Sequence, residues 1–100
     1  MEIMTFIPNG RENAIPRREL VEILHLPDRT VRELIEQARR QGHLIINDGS
    51  GVGYYTSEDP DELASQYRRN EHRALSILVQ QKHLRKRMKE LGVDITKKGI

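Results

Sequence analysis

The sequence predicts a mainly α-helical fold with one small β-hairpin and a long C-terminal helix. Apolar residues recur at helical spacing in two short segments on either side of Pro27. Two β-prone runs then flank a stretch rich in Gly, Asn and Asp, and a long helical pattern follows. Because a chain of 100 residues can bury one modest core, we expect a domain at residues 1–58, a helix at 59–91 and a flexible tail at 92–100.

The first two predicted helices are short and are separated by a tight turn. The first follows Pro16, whose missing N–H costs nothing in a first helical turn. Pro27 disfavours helix in the preceding residue, and Asp28 can accept hydrogen bonds from the free N–H groups of the next helix. We expect that second helix to run from about Arg29 to Gln41 and to stop at Gly42. Its apolar face is formed by Val31, Leu34, Ile35 and Ala38.

The β-hairpin is predicted at residues 44–56. Its two runs are LII at residues 44–46 and GYYT at residues 53–56, with a flexible Gly-rich tip between them. Because side chains alternate across a strand, we expect one of Tyr54 and Tyr55 to pack inward and the other to face outward. The first seven residues are apolar, and their pattern fits helix and strand equally.

The last predicted element is a helix from about Asp61 to Leu91, with Ser57 or Asp59 available as its N-cap. Residues spaced alternately four and three apart along it have the pattern of a coiled-coil seam, which predicts a homodimer. Leu75 and Leu78 widen the apolar stripe, so packing of the helix against its own domain in a monomer stays open. The predicted dimerisation residues are Leu63, Tyr67, Asn70, Ala74, Ile77, Gln81, Leu84, Met88 and Leu91.

Charge is unevenly distributed along the chain. Residues 1–60 carry seven Lys and Arg against ten Asp and Glu, whereas residues 61–100 carry ten against five. A basic cluster lies near the end of the long helix, and it is expected either to contact phosphates or to form a solvated helix face. Its members are Lys82, Arg85, Lys86, Arg87 and Lys89.

Several classes of site and location are not expected. The chain has no cysteine, which excludes disulfides, thiolate metal sites and a thiol nucleophile. Its four histidines lack short metal-ligand spacing, and its serines lie outside any nucleophile-elbow context, so we expect no enzyme, no metal and no cofactor. No apolar run is long enough for a bilayer and the N-terminal residues lack signal-peptide features, so a cytoplasmic protein without membrane contact is expected.

Three stretches resemble parts of a known family. The sequences TVRELI at residues 30–35, RQGHLI at 40–45 and GVGYY at 51–55 resemble the recognition helix, its terminating glycine and the wing strand of the winged helix-turn-helix family. The likeness is to the N-terminal domains of biotin-ligase repressors, and more loosely to small phage and prophage proteins. It covers residues 10–57 and implies a sequence-specific double-stranded DNA-binding protein, in particular a dimeric transcriptional regulator of phage or prophage type.

The apolar pattern agrees with a helix-turn-helix unit, apart from two positions. Such a unit needs apolar residues at fixed offsets so that its helices lock at a steep angle and leave one face of the second helix free. This chain has Val21 and His25 where alanine and glycine are usual, which could widen the crossing or strain the turn. The residues at the expected offsets are Leu20, Leu24, Leu26, Val31 and Leu34.

The outward face of the second helix is the predicted DNA-reading surface. Arg29 or Arg32 could pair with guanine, Gln37 with adenine and Glu33 with the cytosine amino group. Arginines at the start of the preceding helix are predicted to contact phosphates, and the hairpin tip to follow the backbone or enter the minor groove. The predicted DNA-binding residues are Arg17, Arg18, Arg29, Thr30, Arg32, Glu33, Glu36, Gln37, Arg40, Ser50 and Gly51.

Two alternatives to a DNA-binding regulator stay open. Glu33 and Glu36 would repel phosphates, and the net negative charge of residues 1–60 weakens long-range attraction to DNA. Both features favour a winged-helix module that binds another protein. The other alternative is a DNA-recognising adaptor in replication initiation or terminase assembly, which a ring-forming oligomer would favour.

Overall fold

The computed structural model describes residues 2–47 and 50–93 and shows a mainly helical chain with one two-stranded antiparallel hairpin. The chain divides into two units, Met1–Tyr67 and Arg68–Ile100. The elements in order are 3₁₀ turns at Ile3–Phe6 and Arg11–Asn13, α1 at Arg17–Leu24, α2 at Asp28–Arg40, β1 at Ile45–Ile46, β2 at Tyr55–Thr56 and α3 at Pro60–Glu90. The predicted helices and hairpin are therefore confirmed at this level.

The core of the first unit joins both short helices, the hairpin and the N-terminal 3₁₀ segment. Leu34 of α2 is half-buried against this core rather than fully enclosed by it. Ile3 and Ile7 are buried with the helices, so the apolar N-terminus completes the core. The buried residues of this cluster are Ile3, Ile7, Leu20, Leu24, Val31, Ile35, Ala38, Ile45 and Tyr54.

The turn between α1 and α2 contains a strained residue. His25 caps α1 in the left-handed conformation, with φ 54° and ψ 41°, and within residues 2–47 and 50–93 it is the one non-glycine with positive φ. Histidine enters this region more readily than β-branched residues do, but glycine enters it without the steric cost of a Cβ. The strain expected where the helix-turn-helix pattern has glycine is thus present in the backbone.

Replacing His25 with glycine should stabilise the first unit. We expect His25→Gly to raise the free energy of unfolding by about 1 kcal/mol, because the left-handed penalty is removed. Urea denaturation of the variant and of Glu22→Gly, an exposed position inside α1, makes the comparison. Glu22→Gly should lower stability through lost helix propensity, and an equal loss in both variants would contradict the strain at His25.

The sequence predicted the C-terminal end of α2 correctly but not its N-terminal cap. Asp28 was expected to cap the helix from outside, but this is wrong: Asp28 is its first residue, Pro27 is the N-cap, and no side chain caps the end. The Asp28 carboxylate instead binds two arginines, a stronger attraction than that of neutral N–H groups. At the other end Gly42 has φ 103° and donates to the Arg39 carbonyl, so the predicted glycine stop is confirmed.

The hairpin is completed by a third stretch of backbone. β1 and β2 pair antiparallel, with Ile46 opposite Tyr55. On the other edge Ile15 and Tyr54 exchange two backbone hydrogen bonds of 3.0 and 2.8 Å. Gly53 lies beside this bridge with φ 107°, and a Cβ built there would lie 2.2 Å from the Ile15 carbonyl. Only glycine permits this approach between the N-terminal segment and the hairpin.

The prediction that one of Tyr54 and Tyr55 faces outward is wrong, because both are buried. Tyr54 packs in the core, whereas the Tyr55 hydroxyl donates to Glu62 Oε2 at 2.5 Å. Burial, followed by this bond to Glu62, raises the pKa of Tyr55, and Arg11 opposes the rise. The first turns of α3 thus supply a polar partner, Glu62, for the tyrosine side chain that was expected to face solvent.

α3 begins and ends with recognisable caps. The Asp59 side chain accepts from the Asp61 N–H at 2.8 Å, as predicted for one of the two candidate caps. At the far end Gly92 has φ 78°, and Val93 donates to the Met88 carbonyl at 2.9 Å, which forms a Schellman motif.

In the part of the chain that the structure describes, no helix has the length and apolarity needed to cross a membrane.

Candidate nucleic-acid interface

α2 buries one side in the core and exposes the other. Val31, Ile35 and Ala38 are buried, whereas Thr30 at the border is half-buried. The outward side has the six exposed side chains Arg29, Arg32, Glu33, Glu36, Gln37 and Arg40. All of these except Gln37 line one shallow depression along the helix. The structure therefore brings the predicted base-reading residues together on one accessible face.

The two glutamates of this face are each paired with an arginine of the same helix. Glu33 Oε1 lies 3.2 Å from Arg29 Nε, one turn away. Glu36 Oε1 lies 2.9 Å from Arg39 Nη1. Pairs at these spacings interact weakly in water but they offset the negative charge locally. The repulsion of phosphates expected from two free carboxylates is correspondingly reduced.

Asp28 connects the first turn of α1 with the first turn of α2. Its two carboxylate oxygens lie 2.6 Å from Arg17 Nε and 3.3 Å from Arg32 Nε. A hydrogen bond to Tyr54, followed by the bond to Asp28, raises the pKa of Arg17. Arg17 is therefore held against the fold, whereas Arg18 is exposed and makes no ion pair with any residue in the described ranges.

The hairpin tip gains a basic neighbour that sequence reasoning missed. Ser50 and Gly51 are exposed as candidates for backbone contact, while Asp48 and Gly49 lie outside the described residues. Arg11 Nη2 donates to Ser50 Oγ at 3.4 Å, and the two residues are separated by 39 positions in the chain. No local pattern connects positions so far apart, so Arg11 could be found only from the fold.

Comparison with protein-family models, curated proteins and solved structures finds no match to this chain. Residues 2–47 and 50–93 contain no group of three or more His, Asp or Glu side chains placed to hold a metal ion.

Arg39 fixes the position of the hairpin relative to α2. Its Nε and Nη2 donate to the Ile45 carbonyl at 3.2 and 3.1 Å. Its guanidinium also lies over the Tyr54 ring, 6.0 Å from the centroid. The sequence held a signal for this role, since Arg39 follows Val31 and Ile35 at four-residue spacing along the buried side of the helix.

The predicted dimerisation residues do not share one environment. In the first unit Leu63 is half-buried and Tyr67 is exposed. In the second unit Met88 is half-buried, and the exposed members are Asn70, Ala74, Ile77, Gln81, Leu84 and Leu91. The coiled-coil pattern of the second unit thus lies on an accessible part of α3.

Proposed function

We propose that the first unit is a winged helix-turn-helix domain that binds double-stranded DNA through the outward face of α2. A binding role without catalysis follows from this proposal. The proposal is supported chiefly by the amphipathic character of α2: Val31, Ile35 and Ala38 are buried in the core, and the opposite, polar face is accessible. A helix supported in this way can enter a major groove without rearrangement of the domain.

The order of elements supports the winged-helix assignment. Two helices joined by a tight turn at His25 precede a two-stranded hairpin, and the backbone of Ile15 pairs with the residue before β2. In such a domain the second helix reads the groove and the hairpin lies beside it as a wing. Arg11 adds positive charge beside Ser50 at this wing, which suits a contact with the phosphate backbone.

Charge on α2 is compatible with DNA, although it is modest. Asp28–Arg40 contains four arginines and three carboxylates, and each carboxylate forms an ion pair with an arginine. Arg29 and Arg32 keep exposed guanidinium donors for guanine, and Gln37 is exposed for adenine. A good bidentate pair contributes about 1–3 kcal/mol of discrimination against a wrong base. We therefore expect base preference to matter more here than strong non-specific attraction.

Selection from a random duplex library tests the proposal. The full chain is incubated with the library at about 50 and 200 mM salt, and bound duplexes are sequenced. We expect a motif to be enriched at both salt concentrations and total binding to fall at the higher one. A motif with two-fold symmetry would favour the dimeric transcriptional regulator. Absence of enrichment at either salt would contradict DNA recognition and would leave a protein-binding module as the explanation.

Arg18 is expected to contact phosphate rather than bases. Arg18→Ala should weaken all duplexes by a similar factor and reduce the slope of log affinity against log salt by about 0.9. Arg18 is a cleaner probe than Arg17, since removal of Arg17 would also free Asp28. Titrations of the enriched duplex and a scrambled one measure both effects. A loss confined to the enriched duplex would contradict the phosphate role.

A further inference from the structure

The second unit exposes a repeated apolar stripe along α3. Ile77, Leu84 and Leu91 follow at seven-residue intervals and are 50%, 57% and 63% exposed. A second row, Ala74, Gln81 and Met88, has the same seven-residue interval, and Asn70 precedes Ile77 by seven residues. We call this stripe the seam, formed by Asn70, Ala74, Ile77, Gln81, Leu84, Met88 and Leu91. Since helices in water gain most of their stability by packing an amphipathic face, the seam needs a partner.

We infer that the seam binds the seam of a second copy of this chain, as a parallel and in-register two-stranded coiled coil. A seven-residue repeat of apolar positions, here Ile77, Leu84 and Leu91, is the pattern that winds two helices around each other with a left-handed supercoil. Residues 70–91 form this interface whether or not the first unit binds DNA.

The two amides of the seam determine the register. In a parallel, in-register pair Asn70 faces Asn70 of the other copy, Gln81 faces Gln81, and each pair can exchange hydrogen bonds. An antiparallel pair centred on the middle of the seam would place Gln81 against Ile77 and Asn70 against Met88. The contact of Gln81 with Ile77 would bury a polar amide against an apolar side chain, at a cost.

A shifted antiparallel register can also match the amides, but it fits the exposed surface less well. It would place Asn70 against Gln81 of the other copy and leave Leu91 outside the seam. It would also require Leu63, which is half-buried within the first unit, as a partner for Met88. The parallel register keeps every seam position of the second unit in the interface, so it buries the most exposed apolar surface.

Charges beside the seam determine how the dimer responds to salt. The flanking positions hold three arginines, Arg73, Arg85 and Arg87, and one acid, Glu71. No two of these arginines face each other in the parallel register, but residues 70–91 carry six Lys and Arg against two Asp and Glu, so two copies repel through their net charge and added salt screens that repulsion. The dimer should therefore tighten as salt rises. An acidic partner helix from another protein would instead be attracted to the arginines and would bind more weakly at high salt.

Sedimentation equilibrium of the full chain at about 0.1 and 1 M salt tests the partner. We expect a dimer whose dissociation constant falls at the higher salt. Ile77→Gln with Leu84→Gln should raise that constant at least about 100-fold, because both side chains lose their burial. Val79→Gln is the control, since this side chain is 56% exposed but lies on the side of α3 opposite the seam. The control should change the constant only a few-fold.

Cysteine crosslinking tests the orientation, because the chain has no cysteine of its own. Under oxidation Ala74→Cys should form a disulfide between copies, since the parallel seam brings the two Cα atoms within about 4.4–6.8 Å. Lys86→Cys, on the opposite side of the helix, should not crosslink. A monomer at both salt concentrations, or a dimer weakened by salt, would overturn self-association through the seam. A dimer without the Ala74→Cys crosslink would overturn the parallel register.

Discussion

Gly53→Ala is expected to destabilise the first unit by about 2–5 kcal/mol, a large part of the total stability of a small domain. The added Cβ would lie 2.2 Å from the Ile15 carbonyl and 2.5 Å from Pro16 N, and both neighbours are backbone. The φ of 107° adds a left-handed penalty for any residue with a Cβ. Relief would require separation of the N-terminal segment from the hairpin. Urea denaturation followed by far-UV circular dichroism measures the loss.

Gly51→Ala is the matched control for Gly53→Ala. Gly51 also has a positive φ, 91°, but a Cβ built there meets no heavy atom within 4 Å. The control should therefore show only the conformational penalty, about 1–2 kcal/mol. The difference between the two variants isolates the close approach to Ile15. Equal losses would show that this approach contributes nothing to stability.

Loss of the two arginines at the start of the α2 face should largely abolish recognition of the selected duplex. Arg29→Ala with Arg32→Ala removes two bidentate donors, and we expect a loss of about 2–6 kcal/mol for the enriched duplex. The loss for a scrambled duplex should be smaller, because there the variant loses only positive charge and the Arg29 partner of the Glu33 carboxylate, and no base contact. Fluorescence anisotropy with both duplexes at matched salt gives the discrimination directly.

Lys86→Ala with Lys89→Ala is the charge-matched control on α3. Both lysines are exposed, and their removal lowers the net charge by the same amount. Discrimination between the enriched and scrambled duplexes should be unchanged in this control, even if overall affinity falls. A control that loses discrimination as the α2 variant does would mean that net charge, and not the α2 face, carries recognition.

The regular elements were predictable because each has a strong local signal. Helical periodicity defines α2 and α3, and Pro27 and Gly42 limit α2 on either side. The N-terminal 3₁₀ segment was not predictable, since a short apolar run has no distinctive period. Its burial depends on tertiary contacts of Ile3 and Ile7 that no local pattern encodes.

The candidate site was predictable as a face but not as a set of contacts. A helical wheel anchored on Val31 and Ile35 is enough to identify which side chains of α2 point outward. The partners of Asp28 are different, because Arg17 reaches it across 11 residues and only after the turn has formed. The prediction that one of the two tyrosines faces outward was wrong for the same reason. Glu62, which accepts from the Tyr55 hydroxyl, lies in α3, and the alternation of side chains along a strand gives no information about contacts with another element.

Amide chemical-shift mapping of the ¹⁵N-labelled full chain with the selected duplex tests the DNA-binding face of α2 most directly. We expect the largest changes along α2, at Arg29, Arg32, Gln37 and Arg40, with smaller changes beside Ser50. The amides of the seam should change little, because dimerisation does not depend on DNA. Large shifts restricted to residues 68–90, with α2 unchanged, would contradict recognition by this helix.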